Sequence, residues 1–249
     1  MISKSRARRP DMLTNPKLTA NRLLGALDEA DRMAISPFLT REAMVSGHLF
    51  YDPGDTIQQL YFVESGVISL MTLLREGDAV ECGMVGREGL LGAGPALAGL
   101  PVYTRAICQV SGSTLKIGVD DFLGLVNTRP AFRRALIQYL EGLANQAQQS
   151  VACRAWHRAE ARFCRWLVAA CDQAGRDEID LTQEFLAQML AVQRTTVSQI
   201  AGEMQALGLI QQKRGRIAIL DRPGVEARAC ECLDASRARW NDVWPLPRS

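Results

Sequence analysis

The pattern of apolar and polar positions changes character several times along the 249 residues, and each change marks a different kind of element. Residues 18–45 carry Leu23, Leu24, Leu27, Met33 and Ile35 at spacings that predict short helices. From Gly47 the apolar runs shorten and turn residues punctuate them. Leu49-Phe50-Tyr51 leads into Asp52-Pro53-Gly54-Asp55, and Leu60-Tyr61-Phe62-Val63 into Glu64-Ser65-Gly66. With 67–73, 79–85, 105–110 and 114–117 they predict short antiparallel strands closed into a barrel or roll. Pro130 then falls in the first turn of a helix, where its missing N–H costs nothing. Phe132, Leu136, Leu140, Leu143, Ala147 and Val151 follow at steps of 4, 4, 3, 4 and 4. That spacing is close to a coiled-coil seam, and it also fits one amphipathic helix lying on its own domain. In 153–172, Trp156, Phe163, Trp166 and Leu167 share one side, while Arg154, Arg158, Arg162 and Arg165 line another. The cationic stripe reads as a solvated face or as a surface near DNA or a partner protein.

Residues 181–220 carry the most specific pattern. Thr182 can cap a helix with Gln183 and Glu184 in its first turn, and Leu186, Met189 and Leu190 follow at helical spacing. After Ala191-Val192-Gln193, a second helix places Val197, Ile200, Ala201 and Met204 on one face, leaving Arg194, Thr195, Ser198 and Gln199 on the other. A hairpin signal with three cations around one glycine, Lys213-Arg214-Gly215-Arg216, closes the segment. Two helices joined by a tight turn and followed by a basic hairpin predict a winged helix-turn-helix. An ordinary helical hairpin with a solvated face is the alternative that the pattern leaves open.

This stretch resembles the DNA-binding domain of the Crp/Fnr family of bacterial transcription regulators. The run YDPGD…LYFVESGVISL resembles the opening of the same family's double-stranded β-helix sensor domain, and the two halves occur in the family's order. The resemblance implies an α+β chain: a basic N-terminal tail (1–17), a cyclic-nucleotide-binding-like jelly-roll sensor (18–127), a dimerisation helix (128–156), a winged helix-turn-helix (157–222) and a C-terminal tail (223–249). The tail is expected to fold onto the reader domain or to remain loose. It implies a homodimer joined through Phe132, Leu136, Leu140, Leu143 and Ala147. It implies double-stranded DNA as partner, with RNA polymerase a further one. Arg194, Thr195, Thr196, Ser198 and Gln199 are assigned to the major groove, and Lys213, Arg214 and Arg216 to the phosphates. Many members carry Glu where Thr195 stands and Arg where Gln199 stands, so the operator should differ from theirs. Ala191 replaces the glycine usual in the inter-helix turn; if that turn needs positive φ, the alanine costs about 1 kcal/mol.

The effector pocket is expected around Gly92, Ala93, Tyr103, Thr104 and Arg105. Cyclic-nucleotide binders hold the ribose with a Gly-Glu pair and the phosphate with a downstream arginine. Here Ala93 stands at the glutamate position and Tyr103 at the arginine position, with Arg105 two residues along. Control by cyclic AMP or GMP is therefore not expected, and the effector is left unknown.

Composition adds exclusions. Net charge is only +2, so DNA binding must come from local patches. Nothing approaches the ~18 consecutive apolar residues of a membrane span. Lys4, Arg6, Arg8 and Arg9 lack the apolar run of a signal peptide. Seven cysteines, an odd number, suggest a reducing cytoplasm. An iron–sulfur cluster of the family's oxygen-sensing kind would need cysteines near the N-terminus, and the first here is Cys82. Cys230-Glu231-Cys232 alone is a poor metal site, Cys164 and Cys171 fit a core, and His48 and His157 show no catalytic pattern. No metal, cofactor or enzymatic activity is expected. The rival function is a β-roll ligand-binding or protein-interaction module without DNA binding.

Overall fold

The computed structural model describes residues 20–213 and 215–245. The predicted basic tail therefore lies outside the described residues. Two short helices, α1 (Arg22–Ala26) and α2 (Glu29–Ile35), open the fold, capped by the side chains of Asn21 and Asp28. The buried Asn21 amide also donates to the carbonyls of Val63 and Gly89, at 2.8 Å each, which pins α1 to the β-roll. A 3-10 turn (Ser36–Phe38) leads into β1 (Thr40–Met44). The sequence placed 40–44 among helices because Arg, Glu, Ala and Met favour them. Pairing with a sheet edge overrides that preference, supported by the ion pairs Arg41–Glu64 and Lys116–Glu42.

The roll continues with β2 (Leu49–Tyr51), β3 (Gln59–Leu73), β4 (Ala79–Val85), β5 (Leu90–Leu91), α3 (Ala93–Ala98), β6 (Arg105–Gly118) and α4 (Val119–Thr128). The sheet runs β1-β6-β3-β4, with β2 on β6 and β5 on β3. Every pairing is antiparallel. β3 and β6 are longer than the sequence pattern suggests. The presumed turn Glu64-Ser65-Gly66 is instead an irregularity within β3, where the register shifts against β6. Gly66 has φ +86°, and a Cβ there would lie 2.4 Å from the Val110 carbonyl, so only glycine fits the kink.

The long α5 (Pro130–Trp156) then crosses the roll, spanning about 40 Å. Phe132, Ala135, Leu136 and Tyr139 are buried in the sensor core, with Phe132 edge-on to Phe122. Phe132 and Leu136 are thus interior residues of one chain, which corrects their expected place in a subunit seam. Leu143 packs against the same core. Extended backbone at His157-Arg158 separates α5 from α6 (Ala159–Ala174). Phe163, Trp166 and Leu167 are buried as the pattern requires, but Trp156, at the end of α5, is 86% exposed. The arginine stripe is not a uniform solvated face: Arg154 is half-buried and donates to the carbonyls of Glu81 and Met189.

The reader domain follows as β7 (Glu178–Asp180), α7 (Gln183–Leu190), α8 (Arg194–Ala206), β8 (Ile210–Lys213) and β9 (Arg216–Ile219), the strands ordered β7-β9-β8. Its core also takes in Val67, Met84 and Val110 of the roll, so sensor and reader share a packed boundary. Last come α9 (Arg222–Glu226) and α10 (Cys232–Val243). The C-terminal segment is neither loose nor confined to the reader. Trp240 and Trp244 are buried in the sensor core, Trp240 stacked on Tyr139 at 6.0 Å, while Leu233 joins the reader core. Asp172 of α6 accepts from both Arg222 (2.6 Å) and Arg237 (2.7 Å), which anchors this segment.

Candidate nucleic-acid interface and sensor pocket

Thr182 caps α7 by accepting from the Phe185 N–H, as its position in the sequence suggests. α7 ends on Ala191, whose φ of 50° and ψ of 52° make it the only non-glycine residue with positive φ among the described residues. The turn therefore does use a left-handed residue, and an alanine occupies it. This sets α8 across α7 with Val197, Ile200, Ala201 and Met204 buried between them. Arg194, Thr195, Ser198 and Gln199 are exposed, and Thr196 is half-buried. The exposed face is internally ordered. Ser198 Oγ donates toward Gln183 Oε1 (2.9 Å) and the Arg194 carbonyl (3.1 Å), and Gln199 Nε2 donates to Glu203 Oε1 (2.9 Å). No side chain caps the start of α8, where the Thr196 N–H instead reaches back to the Gln193 carbonyl at 3.0 Å.

Beside this helix, Arg194 and Lys213 line one open groove of about 420 Å³ with Gln183 and Gln212. Lys213 is exposed at the end of β8. Arg214 lies outside the described residues. Arg216, also assigned to the phosphates, pairs with Glu178 (3.2 Å) and Asp180 (2.9 Å) of β7 while its side chain stays 60% exposed. Arg194 and Lys213 are left as the cations of this groove among the described residues.

The expected effector pocket is brought together only in part. Gly92, Ala93 and Thr104 line a cavity of about 110 Å³ whose other walls are mainly apolar, including Leu90, Val102, Leu140 and Leu143. Tyr103 is 70% exposed and outside it. Arg105 is also outside, bound to Asp52 through two hydrogen bonds of 2.9 and 2.8 Å. Its guanidinium is held by Asp52 at the surface rather than turned into the cavity. Sites for small molecules usually measure roughly 300–1,000 Å³, so the cavity is small as well as uncharged.

Two family models match the chain: a cyclic nucleotide-binding domain over residues 42–129 and a Crp-like helix-turn-helix domain over 161–228, together more than half of its length. The HTH-type transcriptional regulator Cmr of Mycobacterium tuberculosis is 27% identical over 205 residues, 82% of each chain. The fumarate and nitrate reduction regulatory protein of Shigella dysenteriae is 23% identical over 194 residues, 72% of this chain and 74% of its own. Among solved structures, FixK2 from Bradyrhizobium japonicum superposes with a TM-score of 0.64 at 14% identity, covering 77% of this chain and 98% of that one.

The chain belongs to the Crp/Fnr family.

It is accordingly a DNA-binding transcription regulator. Within this Crp/Fnr chain, sequence reasoning missed two groups of residues. Glu81 of β4 is buried between sensor and reader, accepting from Ser69 Oγ (2.5 Å) and from Trp166 Nε1 of α6 (3.0 Å). Burial raises its carboxyl to about 7, even though these hydrogen bonds and the charges of Arg165 and Arg154 pull the other way. A glutamate inside a strand pattern gives no sequence signal of such a role. The second group is Cys153, His157, Cys230 and Cys232, whose ligand atoms all lie within 4.8 Å of one another. Cys230 and Cys232 are therefore not the isolated pair they seem in sequence. The helical i, i+4 spacing of Cys153 and His157 was the available signal, but nothing local joins it to residues 230–232.

Proposed function

We propose that the protein binds a pseudo-palindromic promoter site as a homodimer, with α8 in the major groove and Lys213 on the backbone, and without control by cyclic AMP or GMP. The single observation that carries this reading is the face of α8. Arg194, Thr195, Ser198 and Gln199 are exposed together over a buried apolar stripe, at the uncapped start of the helix and beside Lys213. Arginine and glutamine can make paired hydrogen bonds to purine edges, and a threonine methyl can pack on thymine. The dimer reading rests on a different stripe of α5 from the one read in the sequence. Ile137, Leu140, Ala144, Ala147 and Val151 follow at steps of 3, 4, 3 and 4, the spacing of a two-stranded coiled coil. Ile137 and Val151 are 60% and 69% exposed. Leu140 and Ala147 carry over from the sequence reading, whereas Ile137 and Ala144 replace the interior residues.

A two-fold dimer sets its half-sites about one helical turn apart, ~10 bp. Contact with RNA polymerase from such a promoter site, and a cytoplasmic setting, follow from the same reading. No helix among the described residues is long and apolar enough to cross a membrane. The test is selection of bound sites from a random duplex library with full-length protein and no added ligand, paired with sedimentation analysis of Ile137→Asp. Expected are an inverted repeat from the wild type, and a monomeric variant that no longer binds it. A wild-type monomer that holds one half-site tightly would refute the dimer, and no enriched motif would refute promoter reading.

A further inference from the structure

Outside the residues of the DNA-reading face, the last turn of α5 and the stretch from after α9 to the start of α10 bring three thiols and one imidazole to a common point. Cys153 and His157 lie one helical turn apart, and His157 is the residue that ends α5. Cys230 and Cys232 approach from the other side. The Cys153 and Cys230 sulfurs are 3.5 Å apart, and the Cys232 sulfur is 3.6 Å from His157 Nδ1. With metal–sulfur bonds of about 2.3 Å, a tetrahedral zinc ion separates its sulfur ligands by about 3.8 Å. All four donor atoms here lie within 4.8 Å of one another. That fits one ion and is too tight for the outer ligands of a multi-iron cluster.

The surroundings match a metal site rather than a patch of core. The three cysteines are buried but form a cluster separate from both hydrophobic cores, with Ala161 packed against it. Gln149 Nε2 donates to the Cys232 sulfur at 3.0 Å and is itself held by Arg239 (2.6 Å). The Glu231 carboxylate lies 3.7 Å from His157 Nε2, so the ring nitrogen facing away from the thiols has an acid to receive its proton. A carboxylate that closes to hydrogen-bond distance of that nitrogen orients a metal-bound imidazole. Three thiolates and an imidazole around a divalent ion leave one net negative charge, and Arg162 and Arg165 both lie close enough to act on Cys153.

We propose that Cys153, His157, Cys230 and Cys232 form a closed, structural Zn(II) site that ties the C-terminal segment to the hinge between the dimerisation helix and the reader domain. The two ligand pairs bracket the reader in sequence, one just before α6 and one just after α9. The ion therefore closes the reader's two ends on each other and fixes how it leaves α5. The Cys230 N–H donates to the Ala161 carbonyl at 3.4 Å, so backbone already joins these ends beside the thiols. Four protein ligands leave no open position, which makes the ion a brace and not a Lewis acid.

The test uses the full-length chain purified under reducing conditions, stripped with a chelator and titrated with Co(II) alone. A thiolate-to-cobalt charge-transfer band and strong tetrahedral d–d bands should appear, saturate at one ion per chain, and be bleached by one equivalent of Zn(II). Competition against a chromophoric chelator should show Glu231→Ala weakening zinc by about tenfold and Cys232→Ser by at least about a hundredfold. Cys82→Ser, outside the four-residue cluster, should leave the affinity unchanged. The cobalt titration needs no variant, so misfolding of a ligand mutant leaves the proposal decidable. A reduced wild-type protein that gives no tetrahedral cobalt spectrum overturns it. Zinc bound undiminished by a Cys153→Ser/Cys232→Ser variant does the same, as does iron with labile sulfide in the freshly isolated protein.

Discussion

The reader helix and the sensor pocket lie in the two halves of this Crp/Fnr chain and differ sharply in chemistry. On α8, Arg194, Thr195, Ser198 and Gln199 stand exposed over a fully apolar underside, with Lys213 close by. In the sensor, of the residues expected to hold an effector, Ala93 is buried, Tyr103 faces outward, and Arg105 is paired with Asp52. The output surface is polar and available, and the input cavity is small and without charge. Packing sets the fold, and a few side chains set the chemistry of each site.

The largest effect expected from that contrast concerns cyclic nucleotides. Losing charge-assisted contacts to both ribose and phosphate costs roughly 1.5–3 kcal/mol each, so binding should be at least about a hundredfold weaker than in a chain that makes both. Titration calorimetry with cyclic AMP and cyclic GMP should show no binding at micromolar concentrations; a clear micromolar isotherm would erase the contrast. Next comes division of labour within the reader. Gln199→Ala should cost ~1–3 kcal/mol on the selected operator and relax preference at one position per half-site, with little change on scrambled duplex. Lys213→Ala should weaken both duplexes and lower the log–log salt slope by about one unit per subunit. Exchange of these two signatures in titrations at several salt concentrations would reverse the assignment of helix and wing.

A smaller effect tests the contact that joins the two regions. The native state keeps Glu81 protonated up to about 7, whereas an unfolded chain releases that proton near 4.5. The native state thus binds more protons across this window, so stability falls as pH rises through it and levels off above about 7. The loss should be on the order of 3 kcal/mol. Urea unfolding at about pH 5 and about pH 8 should show it, and Glu81→Gln should flatten it; an unchanged slope in that variant would assign the effect elsewhere. The smallest effect lies at Ala191. A left-handed alanine is strained, so Ala191→Gly should stabilise the reader by about 1 kcal/mol in urea melts. No gain there would mean that the turn is relaxed as it stands.

Ala191 also shows what was legible in the chain. The reader follows local rules: a capping threonine, an apolar stripe at helical period, a glycine in the wing. Its elements can be read from sequence, even to the strained turn. α5 is harder because its apolar residues spread around more than one face. Phe132, Leu136 and Leu143 meet the sensor while Ile137 and Val151 face outward, and no local spacing says which set a helix will bury. β1 and the bulged β3 depend on pairing partners far along the chain. The thiol cluster depends on residues 77 apart in sequence. Such features arise only when the chain has closed on itself.

That closure has a consequence for how the protein is made. Trp240 fills a place beside Gly142, where even a Cβ would come within 2.7 Å of its ring, and Trp244 donates its indole N–H to the Glu88 carbonyl. The N-terminal α1 meets the same segment, since Arg22 donates to the Trp244 carbonyl at 2.5 Å. The first half of the polypeptide leaves the ribosome with this cleft unfilled. It must wait for the whole reader to be translated before its final wall arrives, roughly 5–20 s later at ordinary elongation rates. Over that interval the nascent sensor exposes the apolar seam that Trp240 and Trp244 later cover.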